Sequence, residues 1–275
     1  MWNELTTDEG WRITVAATNE EAYPILTRDR IMNCFALADL LPPFRQYTRV
    51  SLASRAQTGQ EAALLIVEHP ELNILSPTGH PEGVAALLMS LGLPASPVIH
   101  TPVEHWARLA SYYDLPASGR DLLRMSLTAQ TFQRPSLPPA LPAAQRMTKD
   151  DLPALLALYD LYPATHLRPA LVEEGVFYGI REGTGLVAAG GTHVVALPYG
   201  LAVLGYIFTH PDRRGRGHAQ AVVSALVTEL LARGCQDVIL NVEVGNGPAV
   251  HVYTKLGFQT HSRWSSAPAR RLPRT

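Results

Sequence analysis

The chain has 275 residues, 47% of them hydrophobic and 17% charged, with a formal net charge of −1. That length favours two lobes, each able to bury its own core, and the composition argues against disorder. The near balance of charge leaves no broad basic field for nucleic acid or for an acidic membrane surface, so neither is expected as a partner.

The two cysteines, Cys34 and Cys235, lie far apart with no CxxC or Cys/His spacing. Neither a disulfide framework nor a metal site is expected from them. Residues Met1–Gly10 are polar and acidic where a secretory leader is basic and then apolar, which predicts a cytoplasmic protein.

In chain order, apolar periodicity predicts a strand near residues 11–17 and a helix over 20–41 with a break at Pro24. Strands are expected near 47–53, 62–67 and 72–75. A helix over 82–91, a strand at 97–100, a helix over 103–113 and a strand at 121–127 complete a mixed α/β lobe. Residues 133–145 then carry Pro135, Pro138, Pro139 and Pro142 without apolar periodicity, the signature of a semi-rigid linker. The expected organisation is therefore an N-terminal domain over 1–132, a linker over 133–145 and a second domain over 146–275.

The second domain opens with a predicted helix over 150–161, capped by Thr148 or Asp150, with Pro153 in its first turn. Strands follow at 176–181, 186–195 and 201–209, joined by turns at Gly183-Thr184-Gly185 and Pro198-Tyr199-Gly200. The apolar stretch Leu186–Phe208 is long enough to suggest a membrane span, but its glycines, His193 and Pro198 interrupt it and its valines favour strands. It reads as two buried strands around a turn. The tail from Ser262 to Thr275 reads as a frayed end.

After the strand ending at Thr209 the sequence runs His210-Pro211-Asp212-Arg213-Arg214-Gly215-Arg216-Gly217-His218-Ala219 and enters a helix ending at Gly234. Ala219, Val222, Val223, Leu226 and Leu230 form one apolar stripe on it. Glycines at a strand-to-helix turn allow close backbone approach, and the unpaired amides and dipole of a helix start favour an anion. Phosphate or pyrophosphate binding is the chemistry implied.

A buried strand over 238–244 then leads into Asn246-Gly247-Pro248-Ala249-Val250-His251-Val252-Tyr253-Thr254-Lys255-Leu256-Gly257-Phe258. Together, Pro211-x-x-Arg214-x-x-Gly217-x-Ala219 and Asn246-x-x-Ala249-x-x-x-Tyr253-x-Lys255-x-Gly257-Phe258 resemble the acyl-CoA-binding half of the GNAT superfamily of N-acyltransferases, over Thr148 to about Trp264. The segments Gly175–Glu182 and Leu186–His193 resemble the glycine N-acyltransferase branch. The N-terminal lobe, with a strand, the Gly79-His80-Pro81-Glu82-Gly83 turn and a helix, resembles a degenerate second copy. The implied fold class is α/β, of the α+β kind: two GNAT-like lobes, each a mixed, mostly antiparallel twisted sheet flanked by helices.

The resemblance implies acetyl-CoA as cosubstrate and a primary amine of a small molecule or peptide as acceptor. The sheet would splay beside 201–209, with pantetheine on the backbone of Ile207, Phe208 and Thr209. Pyrophosphate would lie on Arg214, Gly215, Arg216, Gly217, His218 and Ala219, with Asn246 and Ala249 at the pantetheine side. Tyr253 would donate a proton to the leaving thiolate, its phenol near pKa ~10 being matched to a thiol near ~8.5. Many relatives carry a glutamate where this chain has Gly205 and Tyr206, so His193 and Glu243 are the candidate bases beside a water chain. The segment 162–174, with His166, Arg168, Glu173 and Glu174, would meet the acceptor. The competing readings are a non-catalytic acyl-CoA-binding module and a longer-chain or amino-acid N-acyltransferase.

Overall fold

The computed structural model describes residues 4–70, 72–117, 119–161, 167–183 and 185–273. The chain folds into two compact units, one comprising Met1–Arg124 with His261–Thr275 and the other Met125–Thr260.

The first unit begins with strands β1 (Glu4–Thr6) and β2 (Arg12–Thr14). Helix α1 (Asn19–Leu26) starts in a reciprocal cap in which Thr18 and Glu21 satisfy each other's backbone amides. The helix expected to continue to residue 41 is broken: a single 3-10 turn, Thr27–Asp29, precedes α2 (Cys34–Asp39). Strands β3 (Thr48–Arg55), β4 (Gln60–His69) and β5 (Leu72–Gly79) form an antiparallel meander. Helix α3 (Pro81–Ser90) then crosses over to β6 (Val98–Pro102), which pairs parallel to β5 through Ile74↔Val98 and Leu75↔Ile99. The helix expected over 103–113 shrinks to a 3-10 turn and α4 (Trp106–Leu109), because Tyr113 leaves it to enter β7 (Tyr113–Asp114). Strand β8 (Arg120–Leu127) follows. Trp11, Ile13, Leu64, Leu75, Val84 and Leu87 lie at the centre of this core.

The second unit contains β9 (Gln145–Arg146), α5 (Leu152–Tyr159), α6 (Ala170–Glu174), β10 (Phe177–Glu182), β11 (Gly185–Ala196) and β12 (Leu201–Thr209). Helix α7 (His218–Ala232), β13 (Asp237–Glu243) and α8 (Gly247–Lys255) complete it. Thr148 caps the 3-10 turn Lys149–Asp151 that leads into α5: its hydroxyl accepts from the Asp150 amide, and its own amide donates to the Asp151 carboxylate. Its sheet runs β9-β10-β11-β12-β13, antiparallel except for the last pair. Because side chains alternate across a strand, neighbouring Ala189 and Gly190 face opposite layers. Ala189 packs with α5 and α6, whereas a Cβ on Gly190 would lie 3.0 Å from Val222 and 3.3 Å from Leu226 of α7. The apolar stretch 186–208 thus forms two strands. Among the described residues, no helix is long and apolar enough to cross a membrane.

Both units share one plan: a three-stranded antiparallel meander, a helix, and a strand parallel to the third. The chain closes with β14 (Gln259–Pro268) and β15 (Arg270–Arg271). The expected frayed tail is corrected here, because β14 pairs antiparallel with β6 from Trp264↔Pro102 to Pro268↔Val98 and buries Trp264, Ser265 and Ser266. The signal missed was long-range: its partner edge lies more than 160 residues earlier, at 98–102.

Candidate acyl-donor site

The site is built where two strands part. β12 pairs with β13 only from Leu201↔Asp237 to Leu204↔Leu240, although β12 continues to Thr209 and β13 to Glu243. Beyond Leu204 the backbone of β12 has no β13 partner, which leaves main-chain donors and acceptors for an extended ligand. On its other edge β12 carries a bulge: Phe208 opposes Ala189 and Gly205 opposes Gly191, so Tyr206 and Ile207 stand against Gly190 alone. Tyr206 takes φ +57°, a region that non-glycine residues rarely occupy.

Past Thr209, His210 accepts a hydrogen bond from the amide of Asp212 at 3.3 Å and opens a short 3-10 turn. Gly217 caps α7 at φ +91°, and no side chain caps the helix. The first intrahelical bond runs from Ala221 to the Gly217 carbonyl, so the amides of His218, Ala219 and Gln220 have no partner within the helix. Together with the helix dipole they form an anion-binding end. Arg214 and Arg216 are exposed beside it; Arg214 Nε donates to the Thr209 carbonyl at 3.2 Å and Arg216 to that of Asp212 at 3.3 Å.

His218 faces inward and is 1% exposed. Its Nε2 lies 2.9 Å from Glu182 Oε1, its Nδ1 lies 3.1 Å from the Arg213 carbonyl, and Arg213 donates to Glu182 Oε2 at 2.7 Å. The hydrogen bond from His218, reinforced by Arg213, holds the Glu182 carboxyl below its ordinary range. This network fixes the turn from behind, so only the backbone of His218 is available to a ligand. Glu182 carried no motif signal in the sequence.

Across the cleft, Asn246 Oδ1 accepts from the amide of Ala249 at 3.2 Å and starts α8. Tyr253 on that helix is 7% exposed and packs edge-on to Phe258 at 5.9 Å. Burial pushes its phenol well above the ordinary value. The phenol is therefore protonated at neutral pH, and its match to a thiolate is poorer than the unperturbed values imply.

His193 stands in a bulge of β11, between Thr192, which opposes Leu204, and Val194, which opposes Val203. A Cβ built on Gly205 would fall 2.0 Å from His193 Nε2, so the imidazole occupies the volume that a side chain at 205 would enter. Its ring lies 4.6 Å from that of Tyr206. His193 is an exposed residue whose ring packs against Gly205 and Tyr206, and desolvation there, followed by the Arg168 charge, lowers its pKa to about 4. Glu243 is exposed at the end of β13, and its carbonyl accepts from the amide of Asn246 at 2.9 Å. His166, and Thr184 of the predicted turn, lie outside the described residues.

A parted parallel strand pair leading to a glycine-capped helix invites comparison with known proteins. Residues 143–258 match the Acetyltransferase (GNAT) family. The match does not extend beyond those residues. An acetyltransferase of Yersinia pestis (strain Pestoides F) is 42% identical over 55 residues, which are 20% of this chain and 39% of that protein's length. In fold, a GCN5-related N-acetyltransferase from Sphaerobacter thermophilus superposes with a TM-score of 0.57 at 15% identity, over 97% of each chain. A tandem GNAT protein from the clavulanic acid biosynthesis pathway gives a TM-score of 0.56 at 12% identity, covering 96% of this chain and 99% of that one. The two-lobed GNAT-like fold is thus shared along the whole chain, while the family's sequence pattern is confined to the second unit.

Proposed function

We propose that the second unit is an N-acyltransferase that moves an acetyl group from acetyl-CoA to a primary amine of a small molecule or peptide. The observation that carries this reading is the parting of β12 from β13 after Leu204↔Leu240, directly ahead of the uncapped, glycine-started α7. Pantetheine would run along Ile207, Phe208 and Thr209. Pyrophosphate would meet the amides at Gly217, His218 and Ala219, flanked by Arg214, Gly215 and Arg216. Asn246 and Ala249, bonded to each other, would frame the other wall.

The amine attacks the thioester carbonyl carbon, and the C–S bond breaks as the new C–N bond forms. A backbone N–H on the edge of β12 that faces away from β11 would bind the developing oxyanion. His193 is the base: its lowered pKa keeps the imidazole neutral at physiological pH, and it fills the space above Gly205 from the adjacent strand. Glu243 is the reserve candidate, at the exposed end of β13. The amine proton would pass to His193, and Tyr253 would hydrogen-bond to the sulfur and donate its phenol proton to the thiolate, the phenolate then being reprotonated from the imidazolium through water, so that CoA leaves as the thiol. The first unit reads as a second copy of the fold without a donor site.

Thermal unfolding with acetyl-CoA and CoA tests the donor site. At about 100 times its dissociation constant either ligand adds roughly 2.7 kcal/mol, and Gly217→Glu abolishes that gain. Thiol release with a panel of amines then separates an enzyme from a binding module. Binding without turnover on any amine would favour the module.

A further inference from the structure

We propose that Tyr159, at the last turn of α5, is a positioning residue that locks the β12 bulge and, through it, holds the His193 ring over Gly205. The catalytic part of this inference rests on the reading of His193 as base; the geometric part does not.

The Tyr159 hydroxyl donates to the carbonyl of Tyr206 at 2.6 Å, across 47 residues of sequence. Tyr159 is 2% exposed, and its ring packs among Leu155, Leu158 and Phe177. This anchor therefore belongs to the core and not to a mobile loop. The carbonyl it holds belongs to the residue in the left-handed region, the central residue of the bulge. A non-glycine residue stays there only when its surroundings hold it, since the conformation costs about 1 kcal/mol or more. The hydroxyl supplies that restraint by giving the turned carbonyl its partner.

The conformation has two consequences at the cleft. It swings the Tyr206 ring between Phe177, at 5.6 Å, and His193, at 4.6 Å, so the imidazole is backed by an aromatic face. It also displaces β12 relative to β11, which sets Gly205 beneath His193. If the carbonyl lost its partner, Tyr206 would relax toward φ < 0 and its ring would leave the imidazole. Neither link has a local sequence signature, because the bond joins a helix end to a strand bulge.

The experiment compares Tyr159→Phe with Tyr113→Phe, which removes an equivalent buried bond, from the Tyr113 hydroxyl to the Pro94 carbonyl at 3.0 Å, in the first unit. Acyl transfer is measured with acetyl-CoA and an amine, and the His193 ring protons are followed by NMR without ligand. Tyr159→Phe is expected to lower kcat roughly 10- to 100-fold with KM for acetyl-CoA within about twofold, and to move the His193 resonances as the Tyr206 ring departs. In a Tyr206→Gly background, which needs no restraint, the same substitution should have little further effect. Tyr159→Phe matching Tyr113→Phe in both readouts would overturn the proposal, as would a fall in kcat with the His193 resonances unmoved. Moved resonances with unchanged kcat would uphold the positioning and remove His193 as the base.

Discussion

Gly205 and His193 divide between them a task that a single side chain could perform: one leaves the space and the other fills it. Gly205→Ala should therefore act as a catalytic lesion. Its Cβ would start 2.0 Å from Nε2, and the imidazole must swing away. We expect kcat to fall by about 100-fold while acetyl-CoA still stabilises the fold. On the proposal that His193 is the base, the acid limb of kcat/KM is expected below the 6.5 of an ordinary histidine, because desolvation lowers its pKa. The stability linkage has the matching sign. The folded pKa is below the unfolded one, so this contribution is present above about 6.5 and lost as pH falls toward 4. Asp39, at the end of α2, has the opposite behaviour: burial raises its carboxyl to about 7. Its contribution is complete below about 3.8 and is lost as pH rises through 7, so Asp39→Asn should stabilise the protein at pH 8 by about 1–3 kcal/mol, read by urea unfolding. These environments were not legible in the sequence, which placed His193 at the end of a strand without indicating that it lies over a glycine of the next.

Among the elements, α7 is the one whose two ends were written most plainly into the chain. Gly217 at one end, Gly234 after the other, and a single apolar stripe between them define a helix by local rules. Gly217→Ala tests the cap by itself: its Cβ would make only ordinary contacts, with Pro138 at 3.5 Å, Leu141 at 3.8 Å and Leu137 at 3.9 Å, so the cost is that of the left-handed backbone, about 1 kcal/mol. Removing the Glu182 carboxylate with Glu182→Ala should lower the urea midpoint, because buried His218 loses its acceptor. It should also weaken CoA binding, since the turn is fixed by that network. Elements without local punctuation fared worse. The predicted helix over 20–41 tolerates Pro24 within α1 and breaks after it, and the helix over 103–113 gives way to α4 and β7. In both places the hydrophobic period fits a helix, and tertiary partners decide where it stops.

For the whole molecule, the repeated plan raises the question of whether the first unit could hold a donor site like the one proposed for the second, and its own packing argues against it. β5 and β6 also separate after two paired residues, but the Thr101 hydroxyl bridges the gap to the Pro77 carbonyl at 3.2 Å. His80 caps α3 directly, whereas residues 211–217 separate His210 from α7. A Cβ at Gly83 would lie 2.9 Å from the Trp11 ring, which fills the space at the helix start. Titration calorimetry should find one CoA per chain, and two would refute this closure. The tail has a separate role, with Trp264 stacked 3.8 Å from the buried Arg124 guanidinium. Trp264→Ala should cost about 3–5 kcal/mol. By itself the sequence determined the class of each unit, the position of the glycine turn before α7 and most strands of the second unit, because alternation, glycine placement and helix caps are local. Only the tertiary structure decided that β14 completes the first unit, that His193 stands over Gly205, and that Tyr159 holds Tyr206. Each of these depends on groups brought together by sheet pairing and core packing, which leave no short-range pattern in the chain.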